Sequence, residues 1–199
     1  MPTKATSRPT TGSRDRILTA AIARFSRNSY ERTGLRDIAA DVGVDVAYVH
    51  RCFGSKERLF SEALKTSAHV AQHLEVPEDR LARSLAGSVF SGRARSGQAL
   101  DIFIHSVSSS DAVPILRQFI LDNVIDPLSE EVDGSSTTQA ALIVALLVGV
   151  SILRDVLRVR PLLEAKGGEL EALVAQTIQG MIDGVGSEGV PGKLERACQ

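Results

Sequence analysis

Apolar residues recur at helical spacing along nearly the whole chain, and this periodicity restricts the possible folds more than any other feature. In the clearest stretch, Leu170 to Ile182, the apolar positions lie mostly three or four residues apart, which is typical of a helix with one buried face. Comparable stripes predict helices over residues 13–29, 35–42, 46–52, 56–73, 78–91, 97–108, 112–131, 137–159 and 169–183. No segment shows sustained strict alternation or a hairpin signal. The sequence therefore predicts an all-α fold of about nine helices.

Length and composition are those of an ordinary globular protein. The chain has 199 residues, of which 43% are hydrophobic and 24% charged, so it can bury a sizeable core. Its two cysteines form no disulfide framework, and residues 1–12 lack the apolar run of a signal peptide. The longest apolar run, Ala140–Leu153, has 14 residues, whereas a membrane span needs about 20. We therefore expect a cytoplasmic protein with no membrane partner, and we interpret this run as a buried helix.

Charge is distributed unevenly between the two ends of the chain. Residues 1–58 carry eleven Lys or Arg against six Asp or Glu, a balance of +5, while residues 59–199 carry twelve against eighteen, a balance of −6. A basic segment on an acidic body favours a polyanion as the partner of the first quarter of the chain. A chance clustering of charges on a solvated face explains the same numbers.

Residues 35–52 have the spacing of a helix-turn-helix. Gly43 follows the first short helix, where a residue that tolerates positive φ is required. Val44 supplies an apolar side chain within the turn, and Asp45 is a good N-cap for the second helix. Two short helices joined by a short turn containing glycine are typical of DNA-binding units, although other small helical pairs share this pattern. Ser55 is the expected N-cap of the following long helix.

The stretches Ile17–Phe25 (ILTAAIARF), Leu35–Val46 (LRDIAADVGVDV) and Val49–Leu59 (VHRCFGSKERL) resemble the tetracycline-repressor (TetR) family of bacterial transcriptional regulators. Leu147–Leu163 is more weakly similar to the C-terminal part of some members. The resemblance implies a helix-turn-helix DNA-binding domain over residues 13–57 and a helical effector-binding and dimerisation domain over residues 58–184. Composition predicts a disordered arm over residues 1–12, which are rich in Thr, Ser and Pro, and a flexible tail over residues 185–199, which are rich in Gly.

The resemblance also implies roles for individual residues at a DNA operator. Arg36 would reach a base or a phosphate from the second helix, and Lys56 would contact the DNA backbone. Base-reading positions of the recognition helix fall on Val46, Ala47 and Tyr48. Because Val46 and Ala47 offer only apolar contact, for instance to thymine methyl groups, Arg36 is the expected guanine reader.

Two positions depart from the family pattern. His50 stands where members usually have a phosphate-binding Tyr, and a histidine can donate the same bond, more strongly when protonated. Gly34 replaces a frequent hydroxyl residue that caps the second helix and touches phosphate, and Thr33 is the expected substitute for that contact. Cys52 is expected to pack in the core.

The family's homodimer would bind a near-palindromic operator and be released by a small molecule. Residues 137–159 and 169–183 are the predicted dimer interface, with Ile178 as an interface position. Because pockets in helical bundles are mostly apolar with a few polar groups, residues 78–131 are the predicted ligand region. Apolar walls are expected from Phe90, Phe103, Ile104, Leu116 and Phe119, and His105 and Asn123 would orient a small, largely apolar effector.

Other classes of function have little support in the sequence. Gly-x-Ser-x-Gly and His-Glu-x-x-His motifs are missing, and no convergent acid, base and nucleophile are evident, so no enzyme activity and no cofactor are expected. His69 and His73 are four residues apart on a predicted helix, but without supporting ligands they do not predict a metal site. A DNA-binding protein of the same fold without an effector is the alternative reading.

Overall fold

The computed structural model describes residues 12–69, 71–90, 97–131, 136–165 and 168–183. Within these ranges all regular secondary structure is helical, and the predicted all-α fold is confirmed. The arm predicted over residues 1–12, apart from Gly12, and the tail predicted over residues 185–199 lie outside the described residues.

Four helices form the N-terminal unit, and their capping agrees with the sequence signals. Asp45 and Ser55 cap the third and fourth helices, accepting hydrogen bonds from the backbone amides of Ala47 and Arg58 respectively. The helices are α1 (Ser13–Phe25), α2 (Leu35–Val42), α3 (Val46–Phe53) and α4 (Lys56–Ala68).

The rest of the described chain is an irregular helical bundle with two π-helical turns, Leu121–Ile125 and Ile152–Val156. The first π turn is explained by Pro127, which follows closely and whose ring and missing N–H disturb the α-helical hydrogen bonds of the preceding turn. The helices are α5 (Ala71–Leu74), α6 (Glu78–Phe90), α7 (Gly97–Ser106), α8 (Ala112–Ile120), α9 (Asp126–Glu131), α10 (Thr137–Ser151), α11 (Arg160–Leu163) and α12 (Glu169–Asp183).

The predicted helix over residues 56–73 is shorter in the structure. It ends at Ala68, and His69 adopts a left-handed backbone conformation with φ 48°. Histidine is among the non-glycine residues that enter this region more readily. His73 therefore lies on the separate helix α5, and the expectation that His69 and His73 share one helical face is wrong.

Two hydrophobic cores divide the molecule, and their division does not follow the chain order. The first core joins α1–α4 with Ile102 of α7 and with Ala112 and Leu116 of α8. The second core joins α5, α6, α9, α10 and α12. Helices α7 and α8 therefore belong to the packing of the N-terminal unit. The sequence-based boundary after residue 57 stays a prediction.

Candidate functional site

The turn between α2 and α3 has the geometry that its sequence requires. Gly43 has φ 74° and ψ 38°, in the left-handed region, where any side chain with a Cβ is strained. The Val44 amide donates to the Ala39 carbonyl at 3.0 Å, and the Val44 side chain packs against the first core. The turn thus fixes α3 relative to α2, which is the arrangement that lets a recognition helix enter a DNA groove.

Helix α3 buries one face and exposes the other. Val49 and Phe53 lie in the core, whereas Ala47, His50 and Arg51 are exposed. Among the predicted base-reading residues, Val46 and Tyr48 are only partly exposed and pack against the first core. The outward stripe of α3 therefore has a different composition from the predicted set.

Arg51 is the residue that the sequence interpretation missed. It lies four residues after Ala47, on the same exposed face, and its guanidinium carbon is 5.4 Å from the centre of the Tyr48 ring. This cation–π arrangement places a permanent positive charge on the recognition helix. The signal was present in the sequence, because positions 47, 50 and 51 share one face at helical spacing.

His50 keeps one ring nitrogen in a local contact. Its Nδ1 is 3.1 Å from the Gly54 carbonyl oxygen, and this oxygen can only accept, so Nδ1 carries the proton. In the neutral ring, Nε2 is then an acceptor and cannot donate to a phosphate. A phosphate contact through Nε2 therefore requires the doubly protonated imidazolium.

Arg36 and the arginines of α1 have different surroundings. Arg24 forms a bidentate ion pair with Asp41, with its Nε and Nη2 at 2.5 and 2.8 Å from the two carboxylate oxygens. Arg14 pairs with Glu62. Arg36 is exposed in the first turn of α2, and it makes no ion pair with the described residues. Its charge is therefore available to a partner, whereas Arg14 and Arg24 hold α1 against α4 and α2.

Thr33 and Gly34 form the start of α2. Thr33 is fully buried, and its hydroxyl donates to the Ser29 carbonyl at 3.3 Å. The Gly34 amide donates to the Asp37 carboxylate at 3.0 Å. Because its hydroxyl is enclosed and used inside the fold, Thr33 does not present the surface contact that the sequence analysis assigned to it.

Lys56 lies at the start of α4 but is not freely exposed. Its ammonium nitrogen is 4.0 Å from the centre of the Tyr30 ring. Partial burial lowers the pKa of Lys56, while the charges of Glu31, Glu57 and Asp111 act in the opposite direction. A phosphate contact from Lys56 therefore competes with this packed position.

A cavity of about 230 Å³ lies where α4, α6, α7, α8 and α10 meet. Of the predicted wall residues, Phe103, Leu116 and Phe119 line it. Its other apolar walls include Leu64, Leu85, Val89, Val144, Leu147 and Val148. The cavity thus reaches into α4 and α10, which lie outside the predicted ligand region of residues 78–131.

The remaining predicted ligand residues do not line this cavity. Phe90 packs beneath the Arg154 guanidinium, whose central carbon is 4.7 Å from the ring centre. Ile104 is half-buried on α7, and His105 is exposed, its Nδ1 bonded to the Asp101 carbonyl at 2.8 Å. Asn123 donates to the Phe119 carbonyl and lines separate outer grooves. Helix packing places these side chains elsewhere.

The polar groups that do line the cavity come from different helices. They are His73, Ser88, Asp101, Ser151 and Asp155. Burial lowers the pKa of His73, assisted by the charge of His69 and opposed by the contact with Ser84, so the imidazole is neutral at pH 7. The Asp155 carboxylate is 3.5 Å from the Arg154 guanidinium. The described lining residues therefore include two aspartates and no lysine or arginine.

The apolar run on α10 is only partly buried. Thr137–Val156 is long and apolar enough to cross a membrane by length and composition alone, yet it packs on α6, α9 and α12. Within Ala140–Leu153 only Ala140 and Ile143 are buried. The expectation of a buried helix is therefore wrong for the described part of the protomer, where no element covers one face of α10.

The outward faces of α10 and α12 carry exposed leucines. Leu142 is 57% exposed and Leu173 is 54% exposed, whereas Ile178 is 0% exposed and packs in the second core. The choice of Ile178 as an interface position is therefore wrong, because a helix of this period turns position 178 inward.

Family models match both parts of the chain. Residues 17–63 match "Bacterial regulatory proteins, tetR family", and residues 79–182 match "Tetracyclin repressor-like, C-terminal domain". A comparison with curated protein sequences gives no match.

Solved structures share the fold at low sequence identity. A TetR-family regulator from Streptomyces coelicolor A3 is 23% identical, with a TM-score of 0.63 over 90% of this chain and 99% of that chain. The fatty acid degradation regulator FadR from Bacillus halodurans is 17% identical, with a TM-score of 0.57 over 89% and 98% of the two chains. The multidrug binding protein EbrR, solved with imidazole, is 20% identical, with a TM-score of 0.59 over 97% and 100%.

These matches agree with the helix-turn-helix geometry of α2 and α3 and with the helical bundle that follows it. TetR-family proteins are bacterial regulatory proteins that bind DNA. The chain belongs to the TetR family of bacterial transcriptional regulators, with an N-terminal DNA-binding domain and a C-terminal ligand-binding domain.

Proposed function

We propose that this protein is a ligand-responsive repressor that binds a near-palindromic operator as a homodimer and is released by a small, largely apolar effector. The observation that carries the proposal is the position of the cavity. Leu64 and Leu116 line the cavity and also belong to the core that holds α1–α4. A ligand that shifts these two side chains therefore acts directly on the packing of the DNA-binding domain.

At the operator, we assign direct readout to the exposed face of α3 and to Arg36. Ala47 offers apolar contact, and Tyr48 offers a hydroxyl or a ring face in the major groove. Val46 lies beside them at the start of the helix. Arg36, Arg51, protonated His50 and Lys56 supply positive charge for phosphates, and binding should weaken steeply with salt as counterions return to the DNA.

The homodimer places two recognition helices on successive turns of one face of the duplex. Its interface is formed by the outward faces of α10 and α12, which include Leu142 and Leu173. No charged side chain occurs from Ser136 to Leu153, so this surface favours an apolar partner such as the same face of a second copy.

Release follows from a change in the spacing of the two recognition helices. A ligand releases the operator only if it binds better to a conformation that fits the DNA less well. Helix α7 connects the cavity to the DNA-binding domain, because Phe103 lines the cavity and the adjacent Ile102 is fully buried in the first core. The structural neighbours named as a fatty acid degradation regulator and a multidrug binding protein support a role for small molecules in this fold.

The test begins with an operator selected from a random duplex library. A panel of small apolar compounds is then scored for the melting temperature of the protein and for its affinity for that operator. The proposal expects at least one compound to raise the melting temperature and weaken operator binding together. Equal affinity for the selected and scrambled duplexes at physiological salt would contradict the operator reading.

A cavity-filling variant sharpens this test. Val148→Phe adds a ring to the wall of the cavity, so it should abolish the response to the compound and retain operator binding. If no compound couples to DNA affinity, the alternative stands: a DNA-binding protein of the same fold without a small-molecule effector.

A further inference from the structure

The composition of the cavity wall carries information on the charge of its ligand. Two phenylalanines, Phe103 and Phe119, line the cavity together with the acidic residues Asp101 and Asp155. Aromatic faces and carboxylates attract the same kind of group, an organic cation, because both present negative potential. An anion would meet two carboxylates and no cationic side chain on the described wall.

The two aspartates differ in whether a positively charged side chain is paired with them. Asp155 is paired with Arg154, whose guanidinium also lies over Phe90 and donates to the Val89 carbonyl. Asp101 is partly buried, and its carboxylate makes no hydrogen bond or ion pair with the described residues. A carboxylate that has no partner gains directly from a positive charge placed beside it. Asp101 is therefore the group on this wall that gains most from a positively charged ligand.

His73 does not offset this negative charge. Burial lowers its pKa, so the imidazole is neutral at pH 7. Its Nδ1 lies 3.4 Å from the Ser84 hydroxyl oxygen. The local charge of the described wall is therefore negative.

We propose that the effector of this cavity is an apolar organic cation, held by Asp101 and by the faces of Phe103 and Phe119. This inference rests on the proposed function and narrows its ligand to one sign of charge. A volume of about 230 Å³ suits a compact ligand, such as one aromatic ring with a substituted ammonium group.

The test uses three probes of nearly equal shape and different charge: phenyltrimethylammonium, tert-butylbenzene and benzenesulfonate. Their dissociation constants are measured on the wild-type protein without DNA by calorimetry. We expect the cation to bind about tenfold tighter than the neutral probe, as one added charge interaction allows, and the anion to bind weakest. Preference for the neutral probe or the anion would overturn the proposal, as would the absence of binding by all three.

Asp101→Asn removes the charge while keeping the shape of the side chain. It should bring the affinity for the cation close to that for the neutral probe. Asp122→Asn is the matched control, because Asp122 is exposed, bonded to Gln118 and on the outer grooves. It should preserve the tenfold preference. A folded Asp101→Asn protein with an unchanged preference would overturn the role of Asp101.

Operator binding is measured separately with each probe. If the cation binds in the expected order but leaves operator affinity unchanged, the charge inference stands and the effector function fails. If only the neutral probe binds and releases the operator, the effector function stands and the charge inference fails.

Discussion

The ammonium nitrogen of Lys56 lies 4.0 Å from the centre of the Tyr30 ring, which joins the start of α4 to the connection between α1 and α2. The Tyr30 ring meets the Phe60 ring edge to face, with their centres 4.9 Å apart. Its hydroxyl donates to the Glu57 carboxylate at 3.4 Å. The lysine that the family resemblance assigns to a phosphate is therefore also part of the packing of the DNA-binding domain.

Lys56→Ala should affect both DNA binding and stability. Loss of a phosphate contact should weaken specific and scrambled duplexes about equally and lower the salt slope by about 1. Loss of the contact with Tyr30 should lower the free energy of unfolding by about 0.5–2 kcal/mol. Fluorescence anisotropy across a salt series and thermal melting measure the two effects. Lys65 is an exposed lysine later in α4, and Lys65→Ala should change neither the salt slope nor the stability. An unaltered salt slope in Lys56→Ala would exclude a phosphate contact from Lys56.

Arg36→Ala should reduce sequence preference as well as affinity. If Arg36 makes a bidentate contact with guanine, the variant should lose about 1–3 kcal/mol on the operator and less on scrambled DNA. Its melting temperature should stay unchanged, since Arg36 makes no ion pair with the described residues. Arg117→Ala, exposed on α8, is the control of equal charge. Equal losses on both duplexes would reduce Arg36 to a phosphate contact.

Leu142→Glu and Leu173→Glu should each produce folded monomers. Both leucines are exposed in the single protomer, so the new charge disturbs the proposed dimer interface and not the core. Sedimentation velocity at micromolar concentration measures the state, and operator binding should be lost with the dimer. Val107→Glu is the control, because Val107 is 48% exposed, close to the two leucines, but follows α7 and lies on neither α10 nor α12. This variant should remain dimeric. If the wild-type protein sediments as a monomer, the proposed homodimer is wrong.

Gly43→Ala and Gly87→Ala should change stability in opposite directions. Gly43 has φ 74° with open space where a Cβ would point, so alanine there meets only backbone strain, worth about 1–2 kcal/mol. Gly87 lies within α6, and its added Cβ would be 3.5 Å from the Glu171 carboxylate, an ordinary contact. Alanine there should stabilise the helix by about 0.5–1 kcal/mol. Urea denaturation measures both, and a neutral Gly43→Ala would show that the turn does not need its left-handed residue.

The free energy of unfolding should fall as the pH of the solution is lowered, because of His73. Burial lowers the pKa of His73 from its ordinary 6.5, so the unfolded chain takes up this proton at higher pH than the folded protein. The unfolded state then binds more protons as pH falls below about 6.5, and stability decreases until the folded pKa is passed. The melting temperature of the wild type should drop more than that of His73→Gln between pH 7.5 and 5.5, endpoints that bracket the ordinary pKa of about 6.5. Parallel pH profiles would contradict burial of the imidazole.

Local sequence signals determined the helices and the turn that positions α3. Periodicity placed most helix boundaries within a few residues, and the caps Asp45 and Ser55 and the left-handed Gly43 lie where their chemistry requires. These signals are readable because capping, turn conformation and helical periodicity act over about four residues. The same periodicity also contained Arg51, which the interpretation overlooked. Two left-handed residues, His69 and Arg158, interrupted predicted helices without a local signal.

Tertiary packing decided which side chains meet. The residues that line the cavity come from elements between α4 and the second π turn. His105 and Phe90 do not line it, because the rotation and position of their helices direct these side chains elsewhere. Thr33 and Ile178 are buried, and none of the described residues covers the outward face of α10, because burial depends on neighbours from distant parts of the chain. The sequence by itself therefore determined the family, the helices and the turn. The structure alone decided where the cavity lies, which acidic residues line it and which apolar side chains of α10 and α12 are exposed among the described residues.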